Sequence, residues 1–189
     1  TSEAHLSLLA DPLEGEAAAH VDQGCYVDER TWYAHVNIHS GHFFQQWREL
    51  LYTGTDDEPM YQELEAAETG SARFVVSDEM RAADLEAVPY DADRATIMRA
   101  VLEGLASRSA RIIERLEAAK GEPYEQILVA GHPAAIPLWQ TLRQAAYGRS
   151  MAAVNPPEPT AYGAAVMAAE AVEPGAADAL VASREAWRT

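Results

Sequence analysis

Gln126-Ile-Leu-Val-Ala-Gly131-His-Pro-Ala-Ala-Ile-Pro-Leu-Trp139-Gln-Thr-Leu-Arg-Gln-Ala-Ala146 reads as strand, tight turn and helix. The apolar run Ile127 to Ala130 suits a strand buried on both faces. Gly131-His132-Pro133 breaks it, and Leu138, Trp139, Leu142 and Ala145 then recur at helical spacing. A backbone that turns sharply from strand to helix sets helix amides at the carboxyl end of a sheet, where α/β proteins bind anions and nucleotides.

Upstream, Glu3 to Ala10 alternates Ala4, Leu6 and Leu8 with His5 and Ser7, which predicts a strand with those apolar residues on its buried face. Asp11-Pro12 ends it. Cys25 to Asp28 and Thr31 to Ile38 read as two strands joined at Glu29-Arg30, so the early part of the sheet is expected to be antiparallel. Ser40 is the expected cap of a helix to Tyr52 that gathers Phe43, Phe44, Trp47, Leu50 and Leu51, and Gly54 stops it. Glu58 to Ala67 predicts a second helix and Arg73 to Val76 a short strand, while Ser77 to Tyr90 carries little signal. Asp91 or Asp93 starts the longest helix, with Ile97, Val101, Leu105, Ile112 and Leu116 on one stripe up to Lys120-Gly121.

Downstream, Tyr147-Gly148 ends the central helix and Ser150 to Val154 is a last strand. Asn155 to Pro159 is a stiff connector. Thr160 is the expected cap of a helix through Ala171, whose Gly163, Ala164, Ala165 and Ala168 permit close packing, and Ala176 to Trp187 reads as a terminal helix.

At 189 residues with 48% hydrophobic composition the chain can bury a sizeable core. Its formal charge of -16 argues against nucleic acid or an anionic membrane surface as partner. The single cysteine, Cys25, excludes an internal disulfide and fits a reducing, cytoplasmic setting. No run approaches the roughly 20 apolar residues of a membrane span. Thr1 stands where an initiator methionine would, and Thr1-Ser2 reads as mid-strand, so a longer parent polypeptide is expected.

Three motifs follow one another in order: Arg99-Ala-Val-Leu-Glu-Gly104, Gly131-His-Pro-Ala-Ala-Ile-Pro-Leu-Trp139 and Glu158-Pro-Thr-Ala-Tyr-Gly163-Ala-Ala165. In this order the chain resembles the carboxyl-terminal domain of the FGGY carbohydrate kinases. Thr1-Ser2 is similar to the end of that domain's Gly-Thr-Ser phosphate turn, and Ser40-Gly41 with Trp47 to a helix start near the nucleotide. The resemblance implies a single α/β domain of the ribonuclease-H-like, actin-like ATPase class, a mixed sheet flanked by helices. It also implies ATP and Mg²⁺ as cofactors, a sugar or polyol substrate, and a sugar-binding amino-terminal domain outside this chain; a homodimer is left open. By that pattern Thr1 and Ser2 approach the β- and γ-phosphates, Gly41 lies beside the nucleotide, and Gln46 reaches a phosphate or bound water. Gly131, His132, Pro133 and Ile136 line the adenosine.

The family's catalytic base precedes the Gly-Thr-Ser turn, so no residue of this chain is assigned to catalysis and the chain alone is not expected to phosphorylate a sugar. His132 and Pro133 replace two glycines of the family turn, Ile136 stands in place of Ser or Asn, and His42 and Phe43 follow Gly41. These departures keep open a non-catalytic module of the same fold in binding or assembly, and another actin-like ATPase.

Other constellations have plainer readings. His35, His39 and His42 do not stay on one face of a strand, so no metal site is assigned. Cys25 reads as a small buried hydrophobe, Asp56-Asp57-Glu58 as a solvated helix start, and the arginines from Arg99 to Arg115 as an exposed face shared with Glu103 and Glu114.

Overall fold

The structure, a computed structural model, describes residues 3–25, 31–77, 83–154 and 159–176. It forms two compact units, residues 1–123 with 141–148, and residues 124–140 with 149–189.

In the first unit β1 (Glu3–Leu9), β2 (Asp22–Cys25) and β3 (Trp32–Ile38) make an antiparallel sheet in the order β1-β3-β2. The early antiparallel strands are as expected; β2 starts earlier, at Asp22, and shares Cys25 with the expected strand, whose remaining residues 26–28 fall outside the described residues with the Glu29-Arg30 turn. Then come α1 (Ser40–Tyr52) and α2 (Asp57–Ala66). An antiparallel pair follows, β4 (Arg73–Val76) with β5 (Ala83–Glu86), and then α3 (Arg94–Lys120). The sequence Ala-Asp-Leu-Glu has little intrinsic strand tendency; pairing with β4 makes it a strand, helped by an ion pair between Arg73 and Glu86.

At 27 residues α3 is about 40 Å long and is the spine of this unit. Asp93 caps it by accepting the Thr96 amide at 2.8 Å, and Gly121 ends it at φ 84°, a left-handed conformation that suits glycine. Met98, Val101, Leu102, Leu105, Ile112 and Leu116 are all but fully buried along it, each contributing about 1.5 to 3 kcal/mol by leaving water. Phe43 and Trp47 of α1 meet Phe74 of β4 edge to face, with ring centroids 6.4 and 5.8 Å apart.

In the second unit β6 (Ile127–Val129) pairs in parallel with β7 (Met151–Ala153). A 3-10 turn, His132–Ala135, leads into α4 (Pro137–Tyr147), whose later residues belong to the first unit, and α5 spans Pro159–Val172. Both senses of strand pairing expected of a mixed sheet are present, spread over three short sheets among the described residues.

Several expectations are corrected. The buried face of β1 is Glu3, His5, Ser7 and Leu9, while Leu6 and Leu8 are 62% and 65% exposed: the Glu3 carboxylate has buried partners on other elements, and a period of two does not say which face turns inward. Leu128 is 54% exposed, so β6 is not covered on both faces. Ser40 begins α1 but does not cap it, because its hydroxyl donates elsewhere. Leu50 is exposed. Arg99 and Arg108 are buried, not part of an exposed face, and Cys25, at the end of edge strand β2, is exposed. Thr160 lies inside the first turn of α5. A Cβ at Gly163 meets nothing within 4 Å among the described residues, so no close packing requires that glycine. The connector at 155–158 and nearly all of the predicted terminal helix lie outside the described residues.

Candidate functional site

The sequence-predicted site residues fall into three groups. Thr1 and Ser2 lie outside the described residues. Gly41 and Gln46 sit on α1 in the first unit, Gly41 half-buried and Gln46 exposed. Gly131, His132, Pro133 and Ile136 come together on one turn of the second unit.

That turn is built by its sequence. Gly131 takes φ 89° and ψ -179°, open to glycine and costly for other residues, and a Cβ there would meet nothing within 4 Å among the described residues. One side of the Gly131 backbone is therefore open to a flat ligand. Pro133 fixes φ for the 3-10 turn and has no amide to donate. The Ala134 amide donates to Gly131 O at 3.0 Å and the Ile136 amide to Pro133 O at 3.2 Å. Gln140 on the first turn of α4 donates its side-chain amide to Ala134 O, bracing the turn from behind. With those amides engaged, the turn is better suited to packing against a ring than to gripping a phosphate.

On α1, His42 is exposed and Phe43 packs its ring against Phe74. The amides of His42 and Phe43 donate to His39 O at 3.0 and 3.1 Å, closing the first turn.

Behind this helix start lies a buried polar cluster that the sequence pattern missed. Glu3 Oε2 accepts from Ser40 Oγ at 2.6 Å and lies 2.7 Å from Arg143 Nη2. Its Oε1 accepts from Ser109 Oγ at 2.9 Å and lies 3.3 Å from His5 Nε2. The one available signal was the run of polar residues Glu3, His5 and Ser7 at alternate strand positions.

Burial is the largest single influence on the Glu3 carboxyl and raises it, but Arg143, His5 and the hydroxyls of Ser40 and Ser109 together outweigh it and hold it below the ordinary range. Burial also pushes the His5 imidazole down, ahead of the opposing pull of Glu3, and Arg143 and Arg108 add to the fall. His5 is thus neutral in the folded chain at neutral pH. Between its depressed folded value and its ordinary 6.5 the unfolded chain holds more protons, so stability falls as pH drops below 6.5. Glu3 acts in the same direction lower down: its contribution is present above 4.5 and is lost on further acidification. Thermal melts from about pH 7 to pH 5 are therefore expected to show a declining Tm, and His5→Gln to flatten the part of the decline just below 6.5. An unchanged slope in the variant refutes the assignment to His5.

Among the described residues no group of His, Cys, Asp or Glu side chains could hold a metal ion. His35 on β3 has its Nε2 3.8 Å from Asp22 Oδ2, and Asp57 at the start of α2 pairs with Arg48 at 2.7 Å. No helix among the described residues is long and apolar enough to cross a membrane.

Solved structures share this fold at low identity. The xylulose kinase of Rhodospirillum rubrum matches with TM-score 0.76 and 14% identity over 94% of this chain and 38% of that one. Plasmodium falciparum glycerol kinase with ADP matches with TM-score 0.74 and 16% identity over 97% and 39%. The gluconate kinase of Lactobacillus acidophilus matches with TM-score 0.72 and 14% identity over 99% and 37%. The chain thus spans less than two-fifths of the length of these three. No curated protein matches the sequence. Residues 1–172 match the model of the FGGY family of carbohydrate kinases, C-terminal domain, whose fold is the actin-like, ribonuclease-H-like one, and the chain belongs to that family.

Proposed function

We propose that this chain is the ATP-binding half of a carbohydrate kinase that transfers the γ-phosphoryl group of ATP to a hydroxyl of a sugar or polyol. The observation that carries the reading is the family match over residues 1–172. The open, glycine-bearing turn at Gly131 supports a nucleotide there.

In this reading Gly131, His132, Pro133 and Ile136 line the adenosine, while Thr1, Ser2, Gly41 and Gln46 lie toward the phosphates. Mg²⁺ accompanies the phosphates and offsets part of their charge. The substrate hydroxyl loses its proton to an aspartate upstream of Thr1, its oxygen bonds to the γ-phosphorus, and the bond to the β,γ-bridging oxygen breaks to release ADP. The amino-terminal domain supplies most of the sugar contacts. The turn chemistry favours one second reading, a non-catalytic binding or assembly module, because Pro133 lacks an amide and those of Ala134 and Ile136 are engaged.

Saturation-transfer NMR on the full chain with MgATP separates the two. Transfer to the adenine protons is expected, with affinity reduced about tenfold or more by Ile136→Trp, which adds bulk at the turn without straining a positive φ. At a formal charge of -16 the chain repels a polyanion, so ATP with Mg²⁺ is expected to bind more tightly than ATP without it. No transfer at millimolar MgATP from a folded chain would leave the non-catalytic module.

A further inference from the structure

The Glu3 carboxylate has an unusual position relative to the proposed nucleotide contacts. In sequence it directly follows Ser2, and the hydroxyl it accepts at 2.6 Å belongs to Ser40, which directly precedes Gly41. The same carboxylate holds Ser109 on α3 at 2.9 Å and Arg143 on α4 at 2.7 Å. β1 and β3 add a second tie, since Glu3 is paired in register with Ile38, two residues before Ser40.

Stability alone does not account for this arrangement. A buried ion pair recovers little beyond the cost of removing its charges from water, and an apolar pair of similar size often serves the fold as well. What charged, short hydrogen bonds supply is fixed geometry. Ser40 is 3% exposed and gives its hydroxyl to Glu3 instead of capping its own helix, so the first turn of α1 is held from across the core.

We propose that Glu3 is a positioning residue that, through Ser40, sets the start of α1, and with it Gly41, at a fixed distance from the start of β1, so that one carboxylate registers this phosphate-side segment. The proposal rests on the nucleotide reading above for its function, and on the Glu3 to Ser40 bond for its geometry.

Two variants of the full chain test it. Ser40→Ala removes the bond while Glu3 keeps Arg143 and Ser109. The double variant Glu3→Met with Arg143→Met replaces the ion pair by apolar side chains. Three readouts are taken: Tm, MgATP affinity by NMR titration, and hydrogen exchange at the His42 and Phe43 amides, which close the first turn of α1. Both variants are expected to bind MgATP about tenfold more weakly and to exchange those amides about tenfold faster, with the double variant keeping most of the wild-type Tm. Ser40→Thr, which retains a hydroxyl, is expected to restore both. Wild-type affinity and wild-type exchange in Ser40→Ala and the double variant overturn the proposal and leave the cluster a core feature. If the wild type binds no MgATP, the nucleotide reading fails, and exchange alone then decides the geometric claim: acceleration upholds it, no change overturns it.

Discussion

Gly104→Ala is expected to lower Tm by roughly 10 °C, although alanine is the better helix former by about 1 kcal/mol. Gly104 sits inside α3 where β4 crosses it, and a Cβ there would lie 2.2 Å from the Phe74 carbonyl oxygen and 2.9 Å from Phe74 Cδ1. The nearer atom is backbone, held in a strand by pairing with β5, and cannot rotate away. Relief requires moving β4, and with it the Phe74 ring that Phe43 and Trp47 of α1 pack against. We expect a loss of about 3 kcal/mol or more, at the upper end of overpacking costs. Thermal unfolding measures it directly, and a Tm equal to or above that of the wild type would show that helix and strand can separate cheaply. Because α1 carries Gly41 and Gln46, the variant is also expected to weaken MgATP binding.

Arg99→Met has the second largest expected effect. Arg99 is 8% exposed and uses its planar fork three ways: Nε to Glu103 Oε1 at 3.0 Å, Nη1 to Leu64 O at 2.8 Å and Nη2 to Thr69 Oγ1 at 3.1 Å. Glu103 in turn accepts the Gly70 amide at 3.2 Å. One arginine and one glutamate thus fasten the end of α2 and the following loop to α3. Methionine fills the space but leaves the buried Leu64 carbonyl without its donor and the Glu103 carboxylate without its cation, an expected cost of about 2 to 3 kcal/mol or roughly 5 to 10 °C in Tm. Arg99→Lys is expected to recover only part, because a point charge cannot serve three acceptors set out for a fork. Adding Glu103→Gln to Arg99→Met should cost less than the two changes taken separately, and strict additivity would count against the shared network.

Arg99, Glu103 and Gly104 belong to the motif that first suggested the family, and the structure gives each a packing role. The sequence match was sound, but the exposed face read from alternating charges holds at Arg111, Glu114 and Arg115 and fails at Arg99 and Arg108, since charge pattern cannot report that an arginine such as Arg99 has a buried carbonyl to bind. The candidate turn was more legible. Gly131 marked a backbone that only glycine adopts comfortably, and Pro133 marked the missing amide, both local properties of the chain. Glu3 was not legible, because its partners Ser40 and Ser109 are 37 and 106 residues away.

What the sequence by itself determined is local: the span of α1, a start of α3 at Asp91 or Asp93 and its stop at Gly121, the β4 strand, the turn at Gly131, and an order of motifs that identifies the family. Caps, positive φ and periodicity act over a few residues, so neighbouring residues suffice to fix them. Tertiary structure alone decided which face of β1 turns inward. Alternation separates Leu6 and Leu8 from Glu3, His5 and Ser7 but gives neither set a direction, and hydrophobicity favoured the leucines. Ser40, Ser109 and Arg143, brought together from three helices, supply the bonds that make burying a carboxylate tolerable, and the polar face goes in.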